Sequence, residues 1–231
     1  RVGGDHVRVI LLVPPGADPH TYEPPPGIIA DLAEADIYAS VGSGIEFELI
    51  WKDKIAAMNP GMLVVDCSRG IDLISTGEGG HPGTDPHVWL SPGGAKVMVE
   101  NICQGLIEVD PENTETYRRN ADAYLDELDA LDREIAGALA ASGVERIMVY
   151  HPSWAYFARD YGLEQIPIES EGKEPSPRGI EHLITQAKEG HIRVVFASPE
   201  YSTRSAEVIA SEINGTVVLV SPLAKDYLAN M

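Results

Sequence analysis

Cysteine is scarce in this sequence, with Cys67 and Cys103 as the two examples among 231 residues. Neither lies at metal-binding spacing from another cysteine, which excludes a zinc site built from clustered thiolates. The two residues could form one disulfide if the protein is exported, or both could be buried free thiols. The sequence leaves both alternatives open, because it gives no distance between the two sulfur atoms.

Basic residues are also few, and 17 lysines and arginines against 36 acidic residues give a formal net charge of -19. A surface this acidic repels phosphate backbones, which argues against nucleic acid as a partner. No apolar run approaches the roughly 20 residues that a transmembrane helix needs, and no signal peptide is visible. Because the chain starts at Arg1, within a pattern that leads straight into a strand, we expect the native N-terminus to lie upstream.

Phosphate-binding loops are lacking as well. Gly42-Ser43-Gly44 follows a predicted strand, which is a position where glycines can cradle a phosphate. However, neither the P-loop spacing nor the GxGxxG spacing occurs. The sequence therefore favours a plain tight turn here and argues against a nucleotide-dependent enzyme.

What the sequence does contain is one long helical pattern over residues 111–141. Pro111 suits a first helical turn, Asp110 precedes it as a candidate N-cap, and Gly143 is a natural C-terminal cap. An apolar stripe recurs between them at steps of three and four residues, comprising Tyr117, Ala121, Tyr124, Leu128, Leu131, Ile135 and Leu139. The helix is longer than an ordinary βαβ crossover. We therefore predict a rigid connection between two lobes, with a surface helix on a single domain as the alternative.

Strand and helix patterns alternate on both sides of this helix, which indicates an α/β fold. The predicted strands of the first lobe are residues 7–13, 37–41 and 62–66, and its predicted helices are 28–35, 45–58 and 95–109. The predicted strands of the second lobe are 146–150, 165–168, 194–197 and 217–220, and its helices are one that ends at Gly162, 180–189 and 206–213. The first strand, VRVILLV, is continuously apolar, as expected for a strand buried on both faces of a parallel sheet.

Two tripeptides of identical sequence carry a histidine in a loop, Asp18-Pro19-His20 and Asp85-Pro86-His87. In open α/β sheets, ligands bind beyond the carboxyl ends of the strands. Proline stiffens the backbone before each histidine, and each aspartate could orient the imidazole that follows. We interpret His20 and His87 as candidate metal ligands, and loop histidines bonded to backbone carbonyls are the alternative.

The second lobe offers further donors. His151 directly follows its first predicted strand, Asp226 lies in its tail, and Glu200 follows its third strand as an oxygen donor in reserve. His81 lies in a glycine-rich segment, residues 75–84, that we predict to be flexible. The remaining histidines are interpreted as surface or packing residues, and they are His6, His182 and His191.

Four motifs occur in a recognisable order: ADPHTYEP (17–24), DPHVWLSP (85–92), YHPSWAYFARDYGL (150–163) and SPLAKDYLANM (221–231). Together they resemble the zinc and manganese solute-binding proteins of ABC importers, the cluster A-I or TroA-like family. The resemblance covers nearly the whole chain, including the long helix. It implies an α/β fold of two Rossmann-like lobes with parallel sheets, residues 1–110 and 143–231, joined by one long helix at 111–142.

The resemblance also implies a metal site. The ligands that it implies are His20, His87, His151 and Asp226. His151 stands where members of the family carry either histidine or glutamate. Three neighbouring residues would orient a ligand or replace one, namely Asp18, Asp85 and Glu200. The histidine-rich loop of many zinc binders is short here and contains only His81, so we do not expect a metal-scavenging loop.

Three imidazoles and one carboxylate suit Zn²⁺, whereas Mn²⁺ prefers more oxygen ligands and a higher coordination number. We therefore expect zinc as the bound ion, with manganese as the alternative. The resemblance further implies a monomer outside the cytoplasm, periplasmic or held at the cell surface by a lipid anchor. Its partner would be the permease of an ABC importer, and it would meet the membrane only through that permease or the anchor.

Rival functions use the same residues differently. A metal-dependent hydrolase would need Glu200 as general base, but four protein ligands leave no position for an activated water. A binding protein for a metal chelate or an organic solute would use the histidines only to line its cleft. A surface adhesin is a third hypothesis, and the sequence does not test it.

Overall fold

The computed structural model describes residues 1–14, 16–76, 83–170 and 172–231. The chain divides into two compact units, Arg1–Asp132 and Arg133–Met231. The first unit contains a two-stranded sheet and the second a four-stranded sheet, and all paired strands run parallel. The predicted α/β class with parallel sheets is therefore confirmed. The division falls inside the long helix, and the predicted boundaries of the lobes stay a prediction.

The first unit is built on strands β1 (Ile37–Ser40) and β2 (Leu63–Asp66), with helix α2 (Glu46–Met58) between them in the chain. Helix α1 (Pro26–Leu32) precedes these elements and α3 (Pro92–Val109) follows them. Its short 3-10 helices are Gly4–His6, Val88–Leu90 and Pro111–Asn113. The predicted helices of this unit, and its second and third strands, match these bounds to within a few residues.

The strand predicted for residues 7–13 is wrong. These residues form no strand in the structure, and Val9 and Leu11 are 73% and 56% exposed. Leu12 and Val13 nevertheless pack against the core of the first unit. An apolar run becomes a buried strand only where a neighbouring strand offers backbone hydrogen-bond partners. The composition of the run does not reveal whether such a strand exists. His20 consequently follows an irregular segment instead of the end of a strand.

Both cysteines are buried free thiols, which decides between the alternatives that the sequence left open. Burial, followed by the negative charges of Glu48 and Asp66, raises the pKa of the Cys67 thiol to about 12. Burial is also the main cause that raises the pKa of Cys103. Both side chains therefore behave as small apolar residues of the first unit.

We expect neither cysteine to react with an aromatic disulfide reagent while the protein is folded, at about pH 8. The thiolate is the reactive form, and the raised pKa of each thiol keeps it protonated. Unfolding in guanidinium chloride should then expose both thiols of the chain. The absorbance of the released thiolate measures the reaction, and a native protein that loses a thiol within minutes would contradict the expectation.

The long helix α4 (Thr114–Ser142) follows the 3-10 turn at Pro111–Asn113, so its regular part starts later than predicted. Asp110 makes no side-chain cap to the backbone. Its carboxylate accepts hydrogen bonds from the Tyr117 hydroxyl and, at 2.7 Å, from the side-chain amide of Asn113. These two bonds, the one from Tyr117 first, hold the pKa of Asp110 below its usual range.

The predicted apolar stripe of α4 is confirmed. Tyr117, Ala121 and Leu128 are fully buried, and the other members are half-buried, namely Tyr124, Leu131, Ile135 and Leu139. Gly143 follows the helix at a φ of 65°, and its N–H donates to the Leu139 carbonyl. That left-handed residue is the predicted C-terminal cap, which suits glycine because it carries no Cβ.

The second unit has the strand order β4-β3-β5-β6. Its strands are β3 (Arg146–Val149), β4 (Glu164–Pro167), β5 (Val194–Ala197) and β6 (Thr216–Leu219). Its helices are α5 (Ala155–Tyr161), α6 (Pro177–Glu189), α7 (Arg204–Glu212) and α8 (Tyr227–Asn230). Because the strands are parallel, their carboxyl ends share one edge of the sheet, and His151 and Glu200 follow two of those ends. None of the helices in the described ranges is long and apolar enough to cross a membrane.

Candidate metal centre

Two of the predicted ligands lie side by side within the first unit. The ring centroids of His20 and His87 are 5.6 Å apart, and each ring offers a nitrogen within 4.8 Å of a nitrogen of the other. Nitrogen atoms at this separation can bind one ion, because zinc–nitrogen bonds are about 2 Å long. His20 and His87 are 67 positions apart in the sequence, and they share no helix or strand whose periodicity would have placed them together.

His87 is held by the aspartate of its own tripeptide. Asp85 accepts a hydrogen bond from the backbone N–H of His87 at 2.9 Å, and the same oxygen lies 3.0 Å from the ring nitrogen Nδ1. Both residues are buried, at 6% exposure each. The prediction that an aspartate of the tripeptide orients the imidazole therefore describes this histidine.

His20 has a different carboxylate partner. Asp18 accepts the backbone N–H of His20 at 3.0 Å, as Asp85 does for His87. The ring is contacted by Glu46, whose Oε2 lies 2.6 Å from Nδ1. Glu46 is the first residue of α2, and sequence reasoning missed it because no spacing relates it to His20. Asp18 thus shapes the loop, while Glu46 orients the imidazole.

His151 in the second unit repeats this construction. It follows β3, and Oε1 of Glu169 lies 2.6 Å from its Nδ1. Glu169 follows β4, is 5% exposed, and donates its backbone N–H to the Tyr150 carbonyl at 3.0 Å. The ring of Tyr201 lies 5.4 Å from that of His151, centroid to centroid. Glu169 was also missed, since the sequence indicated only a polar loop there.

Each of the three predicted histidine ligands therefore has a carboxylate at Nδ1. A neutral imidazole that donates from Nδ1 carries its lone pair on Nε2, which is the atom that can bind a metal. The carboxylate also fixes the ring orientation and makes the ring a stronger donor. Chemically, the arrangement suits a borderline divalent cation that accepts nitrogen ligands.

The remaining candidates have other roles. The possible phosphate turn is occupied by protein, because the Glu48 carboxylate accepts the N–H groups of Val41 and Gly42 at 2.6 and 2.9 Å. These N–H groups are therefore satisfied without a phosphate, and the tight turn itself stays a prediction. His6 packs edge-on against Tyr117, and the others interpreted as surface or packing residues are exposed, namely His182 and His191. His81 lies outside the described residues.

Comparison with known proteins identifies the family. A family profile described as "Zinc-uptake complex component A periplasmic" matches residues 1–231. The high-affinity zinc uptake system protein ZnuA of Bacillus subtilis strain 168 is 32% identical over 233 residues, which are 95% of this chain and 72% of that protein. A crystal structure of ZnuA has a TM-score of 0.88 at 43% identity, covering 99% of this chain and 88% of the other. A ZnuA deletion mutant with zinc bound gives 0.87 at 43% identity, with coverages of 99% and 87%.

This chain belongs to the ZnuA family. The family is the periplasmic metal-binding component of an ABC importer, so the predicted resemblance and the function as a solute-binding protein are confirmed. The family is a metal-binding transport component. The family acts together with the permease and ATPase components of an ABC importer, and the binding component itself is located outside the cytoplasm.

The two predicted oxygen donors, Glu200 and Asp226, lie in the second unit. The Glu200 carboxylate accepts hydrogen bonds from the hydroxyls of Ser198 and Ser221. Asp226 is exposed and stands at the N-cap of α8, where it accepts the Ala229 N–H at 3.4 Å. The Glu200 carboxylate therefore already accepts hydrogen bonds from two serine hydroxyls, whereas the Asp226 carboxylate accepts a long hydrogen bond from a backbone N–H. Their roles as metal ligands stay predictions.

Proposed function

We propose that this chain binds one Zn²⁺ through His20, His87 and His151 and delivers it to the permease of an ABC importer. Asp226 completes the ligand set, and Glu200 is the alternative. The observation that carries the proposal is the carboxylate at Nδ1 of each of the three histidines. Metal-binding histidines almost always donate their other ring N–H to a carboxylate, a backbone carbonyl or a water, and here all three have a carboxylate.

Zinc fits this donor set better than manganese does. Imidazole is a borderline ligand, and three imidazoles with one carboxylate give the four-coordinate site that Zn²⁺ adopts. Mn²⁺ prefers more oxygen ligands. The names of the relatives support the same choice, since one is a zinc uptake protein and another holds zinc in its crystal structure. Manganese is the alternative cargo.

The donor set also supports transport over hydrolysis. Four protein ligands would leave no coordination position in which the metal could activate water. The proposed general base of the rival hydrolase, Glu200, already accepts two serine hydroxyls. We therefore propose that the protein is a monomeric carrier, periplasmic or at the cell surface, whose one function at this site is to hold and release metal.

Calorimetric titration of metal-stripped protein with Zn²⁺ tests the proposal. The wild type should bind one zinc per chain tightly and Mn²⁺ more weakly. His151→Ala should weaken zinc binding by at least about 100-fold, because it removes a proposed ligand and leaves Glu169 without its imidazole partner. His182→Ala is the matched control, since it removes an exposed histidine of the same unit and should leave the affinity unchanged.

Each other result has a definite meaning. Unchanged affinity in His151→Ala would confine the metal to the first unit and refute the three-histidine site. Absence of tight binding in the wild type would refute metal transport and favour an organic solute or a chelate. Asp226→Ala and Glu200→Ala, titrated in the same way, identify the fourth ligand, and we expect the larger loss from Asp226→Ala.

A further inference from the structure

The residues that connect β1 to α2, together with the first residue of α2, span positions 41–46 and contact the segments that carry His20 and His87. We call this stretch the anchor turn. Its Ser43 is 1% exposed and donates its hydroxyl to the Pro86 carbonyl at 2.5 Å. In return, the Thr84 hydroxyl donates to the Ser43 carbonyl at 2.5 Å. Two hydrogen bonds thus clamp the anchor turn to the residues just before His87.

The same turn also reaches the other histidine. Glu46, its last residue, lies 2.6 Å from Nδ1 of His20. Ser43 and Glu46 are only three positions apart. The hydrogen bond from Ser43 to Pro86 therefore restricts the backbone position from which the Glu46 carboxylate reaches His20. The position of one imidazole is therefore linked to the position of the other through a single short piece of backbone.

The anchor turn has little freedom of its own. The Glu48 carboxylate, 8% exposed, binds the N–H groups of Val41 and Gly42. Gly42 has a φ of 81°, and a Cβ at that position would lie 1.9 Å from Oδ1 of Asp66. Any other residue would be strained at this φ and would also collide with Asp66. Because the backbone of the anchor turn is restrained in this way, a shift at Ser43 should also move Glu46.

We infer that Ser43 is a positioning residue for the metal site, because it holds the anchor turn at the spacing that lets His20 and His87 bind one ion. The inference rests on the proposed function. Ser43 itself touches no metal, and it acts through Pro86 on one side and Glu46 on the other. Loss of such outer partners typically weakens metal binding by about 10–100-fold.

The chain offers a matched control for this inference. Ser40 is also fully buried, at 0% exposure, and its hydroxyl donates to the Val65 carbonyl at 2.9 Å. Ser40→Ala and Ser43→Ala therefore delete the same atom and the same kind of bond in the same unit. The bond of Ser40 joins β1 to β2, whereas that of Ser43 leads to a histidine. Loss of stability alone should be similar in the two variants.

The experiment compares zinc affinity, by competition with a chromophoric chelator, and the visible absorption of the Co²⁺-substituted protein. We expect Ser43→Ala to bind zinc about 10–100-fold more weakly and to change the Co²⁺ bands, which report ligand geometry. Ser40→Ala should stay within about twofold of the wild-type affinity and keep the wild-type bands. Thr84→Val removes the other bond of the clamp and should change both readouts in the direction of Ser43→Ala, which tests the inference even if Ser43→Ala folds poorly.

Three results would overturn the inference. The first is a wild-type affinity and spectrum in both Ser43→Ala and Thr84→Val. The second is an equal loss of affinity in Ser40→Ala, which would show a structural effect only. In both cases the wild type binds zinc and the proposed function stands. A wild type that binds no zinc is the third, and it refutes the proposed function together with the inference.

Discussion

Zinc at one thousand times its dissociation constant should raise the free energy of unfolding by about 4 kcal/mol, provided that it binds only the folded chain. The proposed ligands are far apart in the sequence, so an unfolded chain has no equivalent site. Denaturant melts with and without zinc measure the effect. Since a chain of two compact units can unfold in more than one step, the shift is read at each transition.

His87→Ala should remove most of this stabilisation. If His87 is the buried ligand that we propose, its loss should raise the dissociation constant for zinc at least about 100-fold, which is the upper end of what loss of an outer partner costs. At the same zinc concentration the gain then falls to about 1.4 kcal/mol or less. Comparing each variant with and without zinc cancels any change in the stability of the metal-free protein.

The control for His87→Ala is His182→Ala, which should keep the full zinc-dependent gain. An undiminished gain in His87→Ala would exclude His87 as a ligand. A gain that disappears equally in His182→Ala would show that zinc stabilises the chain through scattered surface histidines instead of one site.

Leu128→Ala should lower the free energy of unfolding of the metal-free protein by about 2–5 kcal/mol. Leu128 is fully buried in the apolar stripe of α4, so truncation loses buried surface and leaves a cavity. Leu139→Ala is the matched control, because it is the same substitution in the same helix at a half-buried position. Urea melts compare the two, and equal losses would show that burial does not control stability along this helix.

The fold was predictable wherever a local pattern and a tertiary partner agreed. Strand β5 has the predicted bounds, Val194–Ala197, and Gly143 ends α4 as its position indicated. Residues 7–13 mark the limit, because an apolar run carries no information on whether a neighbouring strand exists. The start of α4 shows a smaller limit, since proline at position 111 is compatible with either a 3-10 or an α-helical turn.

The site was predictable only in part, for a related reason. The histidines were visible as residue types in loops, and Asp85 was visible because it lies two positions from its histidine. Glu46 and Glu169 lie 26 and 18 positions from His20 and His151, and no periodicity joins such pairs. The two Asp-Pro-His tripeptides show the limit most clearly, since the same three residues orient the imidazole in one case and only the backbone in the other.

The contacts of the anchor turn have an evolutionary consequence. The Ser43 hydroxyl binds the backbone carbonyl of Pro86, and the Glu48 carboxylate binds the backbone N–H groups of Val41 and Gly42. Mutation can therefore alter the side chain at position 41 without breaking either contact. Ser43 and Glu48 act through side-chain oxygens, and Gly42 has no room for a side chain. In related sequences we therefore expect position 41 to vary, whereas Gly42, Ser43 and Glu48 should be retained by selection.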